Sequence, residues 1–196
     1  MYNNQNGGIL LKNKKHKYLL QIKNITYDEA IDDYNKLKNT KCENINPNSH
    51  IGNTFLDYFF FENRLMTKSR KGINFIEFYD RIKKAKKIPP SLENFYVWNQ
   101  KNSNKSNITI LYDYFRLYYG SINQFKPMTA KKIYCEFKPK KILDFSAGWG
   151  GRLLAAISLG IPYIGFDTNI NLKEGYDSII KILKPKDTKI IYKDSS

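Results

Sequence analysis

Long apolar runs, a leader segment and a cysteine framework are all missing from this sequence. No apolar run approaches the roughly 20 residues that a helix needs to cross a bilayer. Residues 1–20 lack the basic start, apolar core and small-residue cleavage site of a secretory signal. The two cysteines, Cys42 and Cys135, have no zinc-ligand spacing around them and suit a reduced compartment. These absences predict a soluble cytoplasmic protein with neither a membrane partner nor a metal site.

Arginine is scarce as well, because the 33 basic residues comprise 28 lysines and only 5 arginines. Against 18 acidic residues they give a net charge of +15, which favours polyanionic partners such as nucleic acid through counterion release. Abundant lysine, asparagine and isoleucine are also typical of AT-rich genes, so the charge alone leaves nucleic-acid binding open. Hydrophobic residues at 41% and aromatic residues at 15% exclude wholesale disorder.

Residues 1–120 have the periodicity of a mainly α-helical region. Thr26 and Glu29 have the spacing of a capping box, and apolar residues then recur at helical intervals as far as Leu37. The many aromatic residues of this region are interpreted as helix-packing residues. Further helices are predicted at Ile51–Met66, Asn74–Lys87, Ser91–Asn99 and Ile108–Tyr119. We therefore predict a helical domain over residues 1–120, with substrate recognition as its candidate role.

From residue 121 onward, helices and strands are predicted to alternate. The expected helices are 127–137, 151–159 and 171–183, and the expected strands are 141–145, 162–167 and 189–192. After the first helix, the predicted order is strand, glycine loop, helix, strand, helix, strand. This is the order of one half of a doubly wound parallel sheet. The predicted fold class is therefore α/β, with a partial Rossmann-like, three-layer sheet over residues 121–196 after the helical region.

The glycine loop of residues 144–152, Asp-Phe-Ser-Ala-Gly-Trp-Gly-Gly-Arg, is the most informative stretch. Glycines between a strand and a helix let a ligand approach the backbone. The dinucleotide fingerprint G-x-G-x-x-G needs a third glycine where Leu153 stands. Asp144, at the end of the strand, would repel a pyrophosphate but suits the cationic amino-acid end of S-adenosylmethionine. The electrostatics therefore favour the methyl donor.

Acidic residues also follow the next two predicted strands. Asp167 ends the second strand, where a carboxylate can accept hydrogen bonds from ribose hydroxyls. Asp194 and Ser195 follow the third strand, at the place of an adenine contact. Any one of these acids alone is as readily a helix cap or a loop residue. Three acids at the ends of successive strands, together with a glycine loop, favour a nucleoside site.

The loop Asp144–Arg152 is followed by Tyr163–Asp167, Tyr-Ile-Gly-Phe-Asp. These two segments resemble the first two motifs of class I S-adenosylmethionine-dependent methyltransferases, especially DNA-modification enzymes of bacteria, phages and large viruses. Gln124–Lys131, Gln-Phe-Lys-Pro-Met-Thr-Ala-Lys, is similar to the segment that opens the helix before the family's first strand. The resemblance covers residues 121–196 and implies S-adenosyl-L-methionine as cofactor and DNA as partner, methylated at N6 of adenine or N4 of cytosine. The strand-end pattern and the resemblance together give the candidate cofactor-binding residues, which are Phe125, Pro127, Met128, Thr129, Asp144, Phe145, Ser146, Ala147, Gly148, Trp149, Gly150, Asp167, Asp194 and Ser195.

The family's catalytic motif, [DNS]-Pro-Pro-[YFW] after the fourth strand, does not occur in this sequence. Pro89-Pro90 is followed by Ser91 and lies upstream of the glycine loop, so no catalytic residue is assigned. We therefore expect the chain to be the N-terminal part of a longer enzyme, inactive alone and a poor binder of cofactor. In the family the fourth strand pairs with the first, so residues 141–145 would keep an open apolar edge that promotes self-association.

Other acceptors and roles stay open. Cytosine-C5 methyltransferases have a similar loop, but they attack with a cysteine after the third strand, where neither Cys42 nor Cys135 lies. An RNA or small-molecule methyltransferase on the same fold, or a non-catalytic cofactor- or nucleic-acid-binding module, remains an alternative. Trp149 either covers the cofactor or packs beneath the loop, and Arg152 is expected to donate hydrogen bonds to loop carbonyls. The turn Lys68–Lys71 is interpreted either as a phosphate contact or as a solvated rim.

Overall fold

The computed structural model describes residues 18–85 and 88–194. Within them the chain forms nine α-helices, three β-strands and two short 3-10 turns at Cys42–Asn44 and Ile170–Leu172. The helices are α1 (Leu19–Ile22), α2 (Tyr27–Asn39), α3 (Asn53–Met66), α4 (Phe75–Lys84), α5 (Pro90–Asn102), α6 (Asn107–Tyr118), α7 (Pro127–Phe137), α8 (Gly151–Ser158) and α9 (Lys173–Leu183). The strands are β1 (Ile142–Asp144), β2 (Tyr163–Asp167) and β3 (Thr188–Tyr192). The predicted α/β class, with helices first and the strands towards the C-terminal end, is confirmed.

Local sequence signals explain where several helices begin. The Thr26 hydroxyl accepts the backbone N–H of Glu29 at 3.2 Å, and the Glu29 carboxylate accepts the N–H of Thr26 at 2.8 Å. This is the capping box predicted for α2. Asn74 and Glu77 form a second capping box at the start of α4. Prolines stand at the first positions of α5 and α7, where the missing N–H has no helical partner.

The three strands form one parallel sheet in the order β1-β2-β3. Ile142 pairs with Tyr163 and Asp144 pairs with Gly165. α8 connects β1 to β2, and α9 connects β2 to β3, as crossovers between parallel strands require. Because the strands are parallel, Asp144 at the end of β1 and Asp167 at the end of β2 both lie at the carboxyl end of the sheet. β1 pairs on one side only among the described residues, which makes it an edge strand.

The described residues divide into two compact units, the first of which contains residues 25–61 and 124–194. Its core joins α2, α3, α7, α8 and α9 to one face of the sheet, where Tyr163 is buried. Phe60 of α3 is also fully buried, and its ring centroid lies 5.0 Å from that of Tyr176 on α9. Residues from the predicted helical region thus pack against the sheet. The functional division at residues 120 and 121 stays a prediction.

The opposite face of the sheet is only partly covered. Leu143 is 54% exposed there, and Ile164, Phe166 and Ile191 are half-buried beside an exposed Lys189. Parallel sheets usually carry helices on both faces. The three-layer arrangement predicted from the sequence is therefore not seen in residues 18–85 and 88–194, whose helices cover one face of the strands.

The second unit contains residues 18–24 and the described part of 62–123, and it is helical. Its core is aromatic, with Phe75, Phe78 and Phe115 each at most 3% exposed. The ring centroid of Phe115 lies 5.7 Å from that of Phe75 and 5.4 Å from that of Phe78. The interpretation of these aromatic residues as helix-packing residues is confirmed.

Cys42 and Cys135 form a disulfide bond, with their Cα atoms 5.7 Å apart. The expectation of two reduced thiols is therefore wrong for this structure, because the fold joins two residues that are 93 positions apart in sequence. Lys131, one turn before Cys135 on α7, is 1% exposed and donates a hydrogen bond of 2.5 Å to the carbonyl oxygen of Leu37. α7 is thus tied to the end of α2 and to the turn that follows it.

Among the described residues, no helix combines the length and the apolar composition needed to cross a membrane. The cytoplasmic location stays a prediction.

Candidate functional site

The glycine loop of residues 144–152 begins at the last residue of β1 and runs through residues 145–150 into the start of α8. Gly148 and Gly150 have φ angles of +60° and +77°, in the left-handed region where glycine is favoured. Among the described residues, a Cβ atom on Gly148 would meet only the carbonyl oxygen of Ser146, at 3.7 Å. The described part of the chain thus leaves this side of Gly148 uncrowded, and the loop presents backbone that a ligand can approach.

Asp144 organises this loop from the last position of β1. Its Oδ1 accepts the backbone N–H of Ser146 at 3.1 Å, and its Oδ2 accepts Nε–H of Arg152 at 2.6 Å. The hydroxyl of Tyr163 donates to the same Oδ2. Arg152 also donates to the carbonyl oxygen of Ser146, so the predicted hydrogen bond from Arg152 to a loop carbonyl is confirmed. Strand, loop and helix are joined at one carboxylate.

The electrostatics keep Asp144 ionised. Burial alone raises the pKa of Asp144, which is 8% exposed, but hydrogen bonds from Arg152, Tyr163 and Ser146 hold that pKa below its usual value. Burial and the adjacent Asp144 both raise the pKa of Tyr163, so its phenol stays protonated and can donate. Three donors already bind the Asp144 carboxylate, so its main role is to hold the loop in its observed conformation.

Asp167 links the end of β2 to the same loop. Its Oδ2 accepts the backbone N–H of Gly148 at 2.7 Å, and its Oδ1 accepts the N–H of Asn169 at 2.8 Å. Tyr176 on α9 donates its hydroxyl to the carbonyl oxygen of Gly148, also at 2.7 Å. Each carboxylate oxygen has two acceptor sites. The half-buried Asp167 can therefore hold Gly148 and still accept hydrogen bonds from ligand hydroxyls.

The segment before α7 crosses the start of α8. A Cβ atom on Gly151, the first residue of α8, would lie only 1.8 Å from the carbonyl oxygen of Phe125. The Arg152 guanidinium lies 5.2 Å from the centroid of the Phe125 ring, which is 40% exposed. Phe125 therefore lies next to the glycine loop, where its ring could contact a ligand bound at the loop.

The three site candidates on α7 are used in packing. A Cβ atom on Gly52 would lie 2.9 Å from side-chain carbons of Pro127. The Thr129 hydroxyl donates to the carbonyl oxygen of Pro47 at 2.7 Å, and Met128 is 1% exposed within the core. These contacts hold α7 against residues 47–52, so any role of these three candidates toward a ligand is indirect.

The remaining candidates differ in exposure. Phe145 is 63% exposed, whereas Ala147 is 2% exposed and lies in the core. Trp149 is half-buried and packs against the core, which favours the second interpretation of this residue, as packing beneath the loop. Asp194 follows β3 and is exposed. Ser195 lies outside the described residues.

Sequence reasoning missed Tyr163 and Tyr176, which both hold the loop through their hydroxyls. A Cβ atom on Gly165 would lie 2.8 Å from the Tyr163 ring, so the glycine makes room for that ring on the same face of β2. The Tyr-x-Gly spacing in the strand is a signal of this close approach. Tyr176 carries no comparable local signal, because its partner is a backbone carbonyl 28 positions away.

The site offers open backbone at Gly148 and carboxylate acceptors at Asp167, an arrangement suited to binding a polar ligand. The described part of the chain has no group of three or more side chains placed to bind a metal ion. Comparisons with protein-family models, curated proteins and solved structures found no match to this chain.

Proposed function

We propose that this chain binds S-adenosylmethionine and belongs to a methyltransferase that acts on an exocyclic amine of DNA. The observation that carries the proposal is the hydrogen bond between the Gly148 N–H and Asp167 Oδ2, which joins the glycine loop to the acid at the end of the next strand. Ligands of open parallel sheets bind at the carboxyl ends of the strands, which is where these two residues lie. A Rossmann-like fold is part of this proposal.

The residues at the loop fit a nucleoside with a charged tail. Asp167 has acceptor capacity left for two ribose hydroxyls, and the described residues leave space outside Gly148. The exposed aromatic rings of Phe125 and Phe145 offer apolar surface close to the loop. The amino-acid end of the ligand cannot depend on the Asp144 carboxylate alone, because Arg152 and two further donors already bind it.

Each residue then has a distinct role. Asp167 accepts hydrogen bonds from the ribose, Gly148 allows close approach, and Asp144 keeps the loop in the shape that binds. When bound, S-adenosylmethionine supplies a methyl group on a sulfonium centre that is open to nucleophilic attack. The sequence contains no [DNS]-Pro-Pro-[YFW] motif, so cofactor binding, and not methyl transfer, is the property to test on these 196 residues.

DNA as the acceptor is supported by the net charge of +15 and by the resemblance of residues 121–196 to amino-methylating enzymes. A strongly basic protein concentrates near polyanions whatever its active site does. The identity of the acceptor therefore rests on the resemblance, and the charge supports it.

Isothermal titration calorimetry with S-adenosylmethionine tests the proposal on the whole chain. We expect weak but saturable binding that Asp167→Ala weakens at least about tenfold, since loss of a charge-assisted hydrogen bond is worth roughly 1.5–3 kcal/mol. Asp177→Ala is the matched control, because Asp177 is an exposed acid on α9 that pairs with Lys173 at 2.5 Å. Circular dichroism confirms that both variants are folded.

Three results would overturn the proposal. One is binding of NAD in preference to S-adenosylmethionine, which would point to a dinucleotide site. Another is equal affinity of the wild-type protein and the folded Asp167→Ala variant. The third is the absence of any binding at millimolar S-adenosylmethionine.

A further inference from the structure

The second unit contains a basic turn, residues 67–72, between the end of α3 and the start of α4. Its sequence is Thr-Lys-Ser-Arg-Lys-Gly, and Lys68, Arg70 and Lys71 are exposed. The backbone N–H of Gly72 donates to the carbonyl oxygen of Ser69 at 2.9 Å, which closes a β-turn with Arg70 and Lys71 as its central residues. Three cations are thus presented within four consecutive residues.

Short-range hydrogen bonds fix the backbone of the basic turn. Ser69, the first residue of the β-turn, is 6% exposed, and its Oγ accepts the backbone N–H of Lys71 at 3.3 Å. The N–H of Ser69 donates to the carbonyl oxygen of Ile73 at 2.9 Å. Gly72, at the last position, has a φ of +77°, which glycine adopts at no steric cost. The basic turn therefore holds its cations on a defined backbone.

The two residues that follow α6 hold two of the three cationic side chains in place. An added Cβ atom on Gly120 would lie 3.3 Å from Cγ and 3.5 Å from Cδ of Arg70, so the Arg70 side chain passes close to Gly120. Lys71 Nζ lies 4.8 Å from the centroid of the Tyr119 ring. That ring packs in turn against the buried Phe78, at 5.1 Å between centroids. Because Tyr119 and Gly120 are consecutive, they anchor Arg70 and Lys71 side by side.

The three cations of the basic turn form no ion pair with a carboxylate of residues 18–85 and 88–194. Two lysines elsewhere do, since Lys105 pairs with Asp113 at 2.7 Å and Lys173 pairs with Asp177 at 2.5 Å. The charge of the basic turn is therefore available to a ligand. Neighbouring cations favour a polyanion, which releases its own counterions when it binds them.

We propose that the basic turn binds the phosphate groups of a nucleic-acid backbone through Lys68, Arg70 and Lys71. The Arg70 guanidinium suits paired hydrogen bonds to phosphate oxygens, and the two lysines supply point charges beside it. Identifying the polyanion as a nucleic acid rests on the proposed function. The affinity for phosphate groups rests on the basic turn itself.

The packing of Arg70 and Lys71 distinguishes this site from a solvated rim, the other interpretation of the turn. A side chain that moves freely in solvent loses conformational entropy when a ligand fixes it. Contacts with Gly120 and Tyr119 already restrict Arg70 and Lys71, so binding phosphate costs these side chains less entropy. Arg70 is also one of only 5 arginines among 33 basic residues, in a chain that mostly uses lysine for its cations.

Fluorescence anisotropy of a short fluorescein-labelled DNA duplex, titrated with the whole chain at about 50–200 mM salt, tests the site. The turn variant, which combines Lys68→Gln, Arg70→Gln and Lys71→Gln, should bind at least about 30-fold more weakly. It should also lower the slope of log affinity against log salt by about 3. Arg70→Lys alone should keep the slope and weaken binding about two- to threefold, because it keeps the charge but not the paired donors.

The matched control removes one arginine and two lysines from exposed positions elsewhere in the second unit, through Arg81→Gln and Lys84→Gln on α4 and Lys101→Gln on α5. This variant should bind DNA within about threefold of the wild type, since it leaves the phosphate contacts intact. Circular dichroism establishes whether both triple variants are folded. If the turn variant is not, Lys68→Gln and Lys101→Gln give the same comparison with single charges, and only Lys68→Gln should lower the slope by about 1.

The outcomes separate this inference from the proposed function. Equal losses of DNA affinity in the turn variant and the control would overturn the inference, because net charge alone would then explain binding. The inference would also be overturned if the turn variant kept DNA binding but lost binding to vesicles that contain phosphatidylserine, which would assign the turn to a lipid surface. S-adenosylmethionine binding should be equal in the wild type and all variants, and its absence from all of them would count against the proposed function alone.

Discussion

Gly151 and Phe125 approach so closely that a Cβ atom on Gly151 would lie 1.8 Å from the carbonyl oxygen of Phe125. A side chain at residue 151 must therefore displace either the start of α8 or the segment that leads into α7. Both flank the glycine loop. The approach makes Gly151 a direct link between two parts of the candidate site.

Gly151→Ala should therefore destabilise the protein by about 3 kcal/mol, the upper end of the cost of overpacking. Gly160→Ala is the control, because an added Cβ meets no atom of the described residues within 4 Å there and the cost comes from the φ of +69°, about 1 kcal/mol. Urea denaturation measures both free energies of unfolding. If the two variants lose equal stability, the close approach to Phe125 is contradicted.

Asp144→Asn should lower the free energy of unfolding at pH 7 by about 2 kcal/mol, because it removes a buried charge that Arg152 and Tyr163 both bind. The folded-state pKa of Asp144 is depressed, so its contribution is complete above the unfolded-state pKa, near 4, and is lost as the pH falls through the lower folded value. The difference between wild type and variant should therefore shrink below pH 4.

Asp177→Asn serves as the control for this pH series. Asp177 is 58% exposed and pairs with Lys173 along one helix, so its loss should change stability by less than about 0.5 kcal/mol at any pH. A stability difference for Asp144→Asn that stays constant from pH 7 to pH 3 would contradict the role given to its charge.

Reduction of the Cys42–Cys135 disulfide should destabilise the protein by about 4 kcal/mol, since the bond closes a loop that spans 93 positions. Urea denaturation with and without a phosphine reductant measures the effect. The free energy of unfolding of the double variant Cys42→Ser with Cys135→Ser should not change when the reductant is added. Titration of two free thiols in the folded protein, prepared without reductant, would show that the bond does not form.

Self-association through β1 is expected at high protein concentration, because this strand pairs on one side only among the described residues and the apolar side chains of Leu143 and Phe145, on and next to it, are 54% and 63% exposed. Leu143→Lys should raise the dissociation constant about tenfold, as measured by sedimentation equilibrium. Added salt should strengthen association of the wild type by screening its net charge of +15. Leu117→Lys, at an equally apolar and exposed position, is the control, and equal effects of the two substitutions would exclude the β1 edge.

Local patterns predicted the elements that depend on neighbouring residues. The Thr26 capping box, the helix starting at Pro127 and the three apolar strands all follow from residues a few positions apart. The predicted bounds of α7 are the observed ones, whereas the ends of other elements differ by up to three residues, as with α4, which ends at Lys84 and not at Lys87. Helix ends are set by the last available hydrogen bonds, which periodicity alone does not reveal.

The features that sequence reasoning missed all depend on residues far apart in the chain. Tyr163 and Tyr176 reach the glycine loop from β2 and α9, and Cys42 meets Cys135 across 93 positions. The packing role of Thr129 likewise depends on Pro47, 82 positions away. Spacing within a motif contains no information about such partners, because the fold of the whole unit brings them together.

The division of the first unit between two distant stretches of chain affects how the protein emerges from the ribosome. Residues 25–61 leave the exit tunnel before their partners in 124–194 have been made. At roughly 5–20 residues per second, the intervening sixty or so residues take about 3–12 s to synthesise. Throughout that interval the Phe60 ring lacks Tyr176, the ring against which it packs in the folded protein. The apolar face of the nascent α3 therefore lacks its partners for several seconds during synthesis.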